Sequence, residues 1–231
     1  MGVKRLSGGA IEGLVGALTP AFSQATGLTL QGDFGAVGGM RDRVRAGEAV
    51  DVVILTRAIM DDLAAQNHVA ADTVADVGRV ATCIAVRSGD AKPSVRDAAE
   101  LRDALLAADA IHLPDPERAT GGIHFAGVLR DLGIADAVAE RLRPFPNGMT
   151  AMAALAASPA ERPIGCTQLT EVRSTDGVDF VAPLPPGHEL STMYAIGVSS
   201  QAANPDGARD LARLLTSPQQ ATARQNAGFT D

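Results

Sequence analysis

Ser7 stands directly before Gly8 and Gly9, and a helix-spaced apolar set follows at Ile11, Leu14, Val15, Leu18 and Phe22. Val3 to Leu6 reads as a short strand, so the hydroxyl sits where a strand gives way to a helix. The glycines let a ligand approach the backbone. The first-turn N–H groups of the helix lack intrahelical partners and lie at the positive end of its dipole. Together these make a site for an anion. The pattern recurs at Pro114–Gly122, where Arg118 and Thr120 precede Gly121 and Gly122, and at Gly35–Gly39, where the small turn carries Val37 and Gly38. Thr56 and Arg57 close the apolar run Asp51–Leu55, and an arginine fork suits a planar carboxylate. Asn147–Thr150 and Gln168 occupy further turn and strand-end positions. For proton transfer the candidates are His124, in the first turn of the helix after Gly122, and Glu171. Tyr194 is the one tyrosine of the chain.

The elements that position these residues alternate. Strands are expected at 3–6, 28–34, 51–55, 79–86, 110–113, 162–166, 178–182 and 193–198. Helices are expected after Gly9, at 40–46, 59–66 and 98–108, after Gly122, and at 135–142, 149–157, 167–172, 206–215 and 217–226. Ser94 or Asp97 caps the helix at 98–108, and Pro205 and Pro218 open the last two. Phe145-Pro146-Asn147-Gly148 is read as a turn. Such β-α alternation implies parallel sheets with helices on both faces, and ligands then bind beyond the carboxyl ends of the strands.

Bulk properties narrow the function. The net charge of -7 and the lack of a Lys/Arg cluster argue against nucleic acid. An acidic chain that binds an anion must use local donors against its own field. Cys83 and Cys166 form no CxxC, which speaks against a metal or redox motif and leaves their pairing open. No metal and no cofactor is expected. No run of about 18 apolar residues suggests a membrane span. Met1 is followed almost at once by a strand, so the sequence as written reads as cytoplasmic, or as periplasmic after loss of a leader.

Five stretches in order, SGGAI at 7–11, FGAVGGMRDRVRAGEAVDVVIL at 34–55, RATGGIHF at 118–125, IGCTQLTEV at 164–172 and the closing strand with Tyr194, resemble the type 2 periplasmic solute-binding proteins, and within them the molybdate-binding-like family. The resemblance implies a two-lobed α/β fold with a ligand cleft between the lobes. Lobe 1 would comprise 1–80 and 190–231, and lobe 2 would comprise 81–189. It implies that Ser7, Gly8, Gly9, Val37, Gly38, Thr56, Arg57, Arg118, Thr120, Gly121, Gly122, Asn147, Thr150, Gln168 and Tyr194 bind the solute. Ser7 matches the family's first binding serine. Val37, Arg57 and Gln168 fall where the molybdate binders have a serine, an acid and a tyrosine, which points away from a tetrahedral oxyanion and toward a carboxylate.

A narrower resemblance, carried by Thr167-Gln168-x-x-Glu171, Pro183-Leu184-Pro185 and Thr192-x-Tyr194, is to the aconitate-isomerase-like subgroup. Three functions follow as expectations. The first is binding of an organic di- or tricarboxylate, with a transporter as partner if the protein is exported. The second is isomerisation of aconitate by allylic proton transfer, with His124 or Glu171 as proton carrier and no cofactor. The third is binding of molybdate or another oxyanion.

Overall fold

A computed structural model describes residues 2–230. In chain order the elements are β1 (Gly2–Gly8), α1 (Glu12–Thr26), β2 (Thr29–Gly35), α2 (Val37–Arg45), β3 (Val52–Thr56), α3 (Arg57–Ala65), β4 (Ala75–Arg87), α4 (Ala98–Ala107), β5 (Ala110–Pro114), α5 (Thr120–Asp131), α6 (Ala135–Val138), β6 (Leu142–Phe145), α7 (Gly148–Ala156), β7 (Pro163–Gln168), α8 (Leu169–Arg173), β8 (Val178–Pro183), β9 (Ser191–Val198), α9 (Pro205–Thr216) and α10 (Ala221–Ala227). Among the described residues no helix is long and apolar enough to cross a membrane.

The chain divides into two units. One is Met1–Val80 with Thr192–Asp231, the other Ala81–Ser191. In the first unit the strands run in the order β2-β1-β3-β9, with β9 antiparallel and the rest parallel. All five residues of β3 are buried, as a strand flanked on both sides and covered on both faces requires. Helix α1 buries Leu14, Val15, Leu18 and Phe22 and packs on α9, which buries Leu211 and Leu215. Gly27 ends α1 in the left-handed conformation, φ 71°. The buried carboxylate of Asp51 ties three segments. It accepts the N–H of Lys4 at 2.7 Å and of Asn204 at 2.8 Å, and its own carbonyl accepts the N–H of Ser199.

In the second unit the order is β8-β4-β7-β5-β6, with β5, β6 and β7 mutually parallel and β4 antiparallel to both of its neighbours. One face of this sheet packs Ile84, Ile111, Leu113 and Cys166 against Phe125 and Leu101. The other packs Cys83 and Ala85 against Met152, Leu155 and Val172. Because Cys83 pairs with Thr167 and Ile84 with Cys166, the two cysteines are offset by one residue and point to opposite faces. Both are free, and that register answers the question of their pairing in the negative. Burial pushes both thiols up, and at Cys83 the nearby Glu171 carboxylate adds to the rise.

Several boundaries move relative to the sequence reading. Helices α2, α3 and α5 begin three, two and three residues earlier than expected, at Val37, Arg57 and Thr120, so Val37-Gly38 and Thr120-Gly121-Gly122 are first-turn residues rather than loop. Thr167 and Gln168 end a strand instead of opening a helix. The helix expected over 135–142 stops at Val138, with one further 3-10 turn, and 142–145 is a strand that takes in the first residue of the turn expected at 145–148. Arg143-Pro144 explains the change. The residue before a proline is driven to extended backbone, and at the outer strand of the sheet a missing N–H is tolerated. Asp97, not Ser94, caps α4.

Candidate functional site

The first unit gathers most of its expected residues at the carboxyl ends of β1 and β3 and at Tyr194. Ser7 is fully buried, and its hydroxyl reaches the Gly8 carbonyl at a long 3.3 Å. A Cβ on Gly8 would lie 2.9 Å from Val37 Cγ1 and 3.0 Å from Tyr194 Cε1. Glycine is therefore required there by the close approach of two side chains. Gly8, Val37 and Tyr194 thus form one contact, although Val37 and Tyr194 are far apart in sequence. Tyr194 is buried and meets the Phe229 ring edge-on at 6.4 Å. The 3-10 turn Gly9–Ile11 leads into α1. That turn and helices α2 and α3 all begin at residues whose side chains make no capping bond: Gly8, Ala36 and Thr56.

Arg57 is differently placed. It is the first residue of α3, where a cation opposes the dipole. Its Nε donates to Asp61 at 2.7 Å and its Nη1 to Asp76 at 2.9 Å. These carboxylates, Asp76 foremost, raise its already high pKa. The fork is held by the unit's own acids, which the sequence did not foretell because Asp76 lies on β4, 19 residues away.

In the second unit two neighbouring groups form. Helix α5 starts at Thr120 behind Ala119, which has no side-chain cap. A Cβ on Gly122 would overlap the carbonyls of Pro114 and Asp115, so the helix begins pressed against its own loop. That loop is an Asx turn in which Asp115 accepts the N–H groups of Glu117 and Arg118, and Arg118 is exposed. Gly121 stands beside Gln168, with room for a Cβ 3.9 Å from Gln168 Cγ, so the TGG and TQ motifs meet.

The second group surrounds the start of α7. Asn147 caps that helix and Thr150 reciprocates, so these two side chains are spent on a capping box. Glu171 is buried. Its Oε2 accepts the Thr167 hydroxyl at 2.5 Å and the Gln168 N–H at 3.4 Å. The Gln168 side chain accepts the Glu171 N–H in return, so TQ-x-x-E is a second capping box. A Cβ on Gly148 would overlap both the Glu171 carboxylate and the Thr167 hydroxyl.

His124 lies two residues further along α5 than Gly122. Its Nε2 lies 2.7 Å from the His188 carbonyl oxygen, in the segment that leads to β9. The sequence reading also missed His112. It is buried on β5 and stacked on Phe145 with ring centroids 5.8 Å apart, and its Nδ1 finds no partner among the described residues. Burial lowers its pKa. Among the described residues no group of three or more His, Cys, Asp or Glu side chains is placed to hold a metal ion.

Residues 3–230 match the profile of the bacterial extracellular solute-binding proteins, and the chain belongs to that family. An aconitate isomerase from Pseudomonas sp. is 28% identical over 97% of this chain and 86% of its own length. Among solved structures, the fold is shared with the periplasmic molybdate-binding protein of Azotobacter vinelandii, at a TM-score of 0.80, 17% identity and 99% of both chains. It is shared too with the sulfate-binding protein SubI of Mycobacterium tuberculosis, at a TM-score of 0.76, 18% identity, 99% of this chain and 86% of the other.

Proposed function

We propose that this chain binds a small organic anion with two or three carboxylates, as an extracellular solute-binding protein. The observation that carries the reading is the set of helix starts left without side-chain caps: Gly8–Ile11, Ala36–Gly38 and Thr56–Arg57 directly after strands on one unit, and Ala119–Gly122 after the short loop that follows β5 on the other. Each presents first-turn N–H groups that favour negative charge. Ser7, Gln168 and Arg118 add side-chain donors, and Tyr194 frames the Gly8 turn. Val37 offers no hydroxyl, and Gln168 offers a planar amide. Both suit a carboxylate better than a tetrahedral oxyanion. As a collecting protein it would work outside the cytoplasm and deliver its ligand to a membrane transporter.

A thermal-shift and calorimetric screen tests this with cis-aconitate, trans-aconitate, citrate, tricarballylate, molybdate and sulfate. A carboxylate at one hundred times its dissociation constant should stabilise the protein by about 2.7 kcal/mol. Molybdate binding more tightly than every carboxylate overturns the reading.

One observation favours isomerisation as a second reading. A carbonyl oxygen only accepts, so the His188 contact fixes the proton of His124 on Nε2 and leaves Nδ1 as the basic nitrogen. A base so oriented suits an allylic shift. It takes a proton from the methylene carbon, the double bond moves, and a proton returns to the former vinylic carbon. Incubation with cis-aconitate in D2O, followed by NMR, tests it. Appearance of trans-aconitate with deuterium at the allylic carbon supports the enzyme, and no conversion above the buffer rate leaves the binder.

A further inference from the structure

Glu171 presents an unusual combination. It is a buried carboxylate beside strand ends that we read as an anion site, where an uncompensated negative charge would repel the solute. Its surroundings supply the compensation. The carboxylate lies over Gly148, the first residue of the nine-residue helix α7, where the helix dipole favours an anion. It accepts the Thr167 hydroxyl and the Gln168 N–H. Glycine at 148 is what admits it, since any side chain there would occupy its place. Its own backbone N–H in turn holds the Gln168 side-chain oxygen.

We propose that Glu171 is a positioning residue of the solute site. Its carboxylate fills the place at the start of α7 that a bound anion would otherwise take, and it locks Thr167 and Gln168 so that Gln168 turns its amide NH2 to the solute. This rests on the reading of the chain as a carboxylate binder. It has two consequences. Helix α7, unlike α5, gives no first-turn N–H to the ligand. Gln168 acts as a donor, because its oxygen is engaged within the protein, and a donor selects for carboxylate oxygens. Glu171 itself touches no solute and is not the proton carrier.

The test compares Glu171→Gln with Glu171→Ala in the full chain, with circular dichroism to establish that both fold. Glutamine at the third helical position preserves a capping box; alanine does not. In 15N-labelled protein without ligand, the Gln168 side-chain NH2 pair is assigned by its loss in Gln168→Met. It should stay dispersed in the wild type and Glu171→Gln and move to the position of a mobile glutamine in Glu171→Ala. Calorimetry with tricarballylate should then show affinity within about threefold of wild type for Glu171→Gln and a loss of about tenfold for Glu171→Ala, the scale of one hydrogen bond to a charged ligand.

An unchanged Gln168 signal in Glu171→Ala overturns the positioning role, whether or not any ligand binds. A displaced signal with unchanged tricarballylate affinity overturns the link to the solute. A wild type that binds none of the carboxylates, with a Gln168 signal that still depends on Glu171, overturns the carboxylate reading and with it the link to the solute, while the side-chain lock stands. If the protein isomerises aconitate, Glu171→Gln should keep the activity; its abolition with Gln168 still ordered makes Glu171 the proton carrier and overturns the proposal.

Discussion

The Nε2 of His124, on α5, lies 2.7 Å from the carbonyl oxygen of His188, 64 residues later in the chain. The segment it holds is already tied at both ends by Thr82, whose carbonyl accepts the Leu184 N–H and whose N–H donates to the Leu190 carbonyl. His124 therefore pins the middle of a short loop whose ends are fixed. Neutral or charged, the ring donates from Nε2, so the contact survives acid.

His124→Leu should free that loop without unfolding the unit. The expected loss of stability is about 1 kcal/mol, the net worth of one such hydrogen bond. Amide exchange at 187–190 should quicken about tenfold while β5 and β7 stay protected. Mass-spectrometric hydrogen exchange reads both. Unchanged exchange at 187–190 would show that Thr82 alone holds the segment.

Arg57 yields a prediction opposite in sense to its sequence reading as a carboxylate clamp. With its Nε on Asp61 and its Nη1 on Asp76, the guanidinium has little of its fork to give a solute. Arg57→Ala should leave the melting temperature nearly unchanged, because both pairs are solvent-exposed. Carboxylate affinity should fall less than about threefold, the scale of a screened surface charge. A loss of a hundredfold in calorimetry would restore Arg57 as a direct ligand.

The strands and turns could be read in the sequence where they carried their own punctuation. The apolar run ending at Leu55, the small residues at 7–9 and the prolines at 205 and 218 each act within a few residues, and the elements they mark are present. What escaped was set by contacts distant in sequence. Strand β6 is held by its pairing with β5, in a stretch between an expected helix end and an expected turn that nothing local marks as a strand. Asp76 captures Arg57 across 19 residues, and the His188 carbonyl captures His124 across 64. The TQ-x-x-E motif was visible as a motif. Its meaning as a capping box, closed over Gly148, depends on α7 lying beside α8, which no local spacing records. Glycine at 122 reads in the sequence as part of an anion-binding turn, yet the Pro114 and Asp115 carbonyls account for it by packing alone.

His112 should make stability depend on pH. Burial lowers its folded pKa, whereas in the unfolded chain it titrates near about 6.5. The unfolded state therefore binds the proton more readily. The contribution is fully present above about pH 6.5 and is lost as pH falls from there through the lowered folded value. Urea denaturation at steps from pH 7.5 to 5 should show this slope in the wild type. In His112→Phe, which keeps the stacking on Phe145, the part due to this residue should vanish. Equal slopes in the two proteins would assign the acid sensitivity to other groups.

Asp51 should be among the costliest single positions in the first unit. The residue is 5% exposed, and its carboxylate accepts the N–H groups of Lys4, on β1, and Asn204, at the cap of α9. Asn204 in turn caps α9 through its side chain on the Gly207 N–H, so loss of the Asp51 contact also loosens that cap. Removing the carboxylate leaves two part-buried N–H groups without their acceptor. Asp51→Ala is expected to cost about 3–6 kcal/mol, from two bonds to a charged acceptor worth about 1.5–3 kcal/mol each. Asp51→Asn retains one oxygen acceptor and should cost roughly half as much. The two variants are compared by urea denaturation at pH 7, and Asn204→Ala in the Asp51→Ala background reveals coupling if the losses fall short of additive. A loss below about 1 kcal/mol for Asp51→Ala would mean that water replaces the carboxylate at both amides.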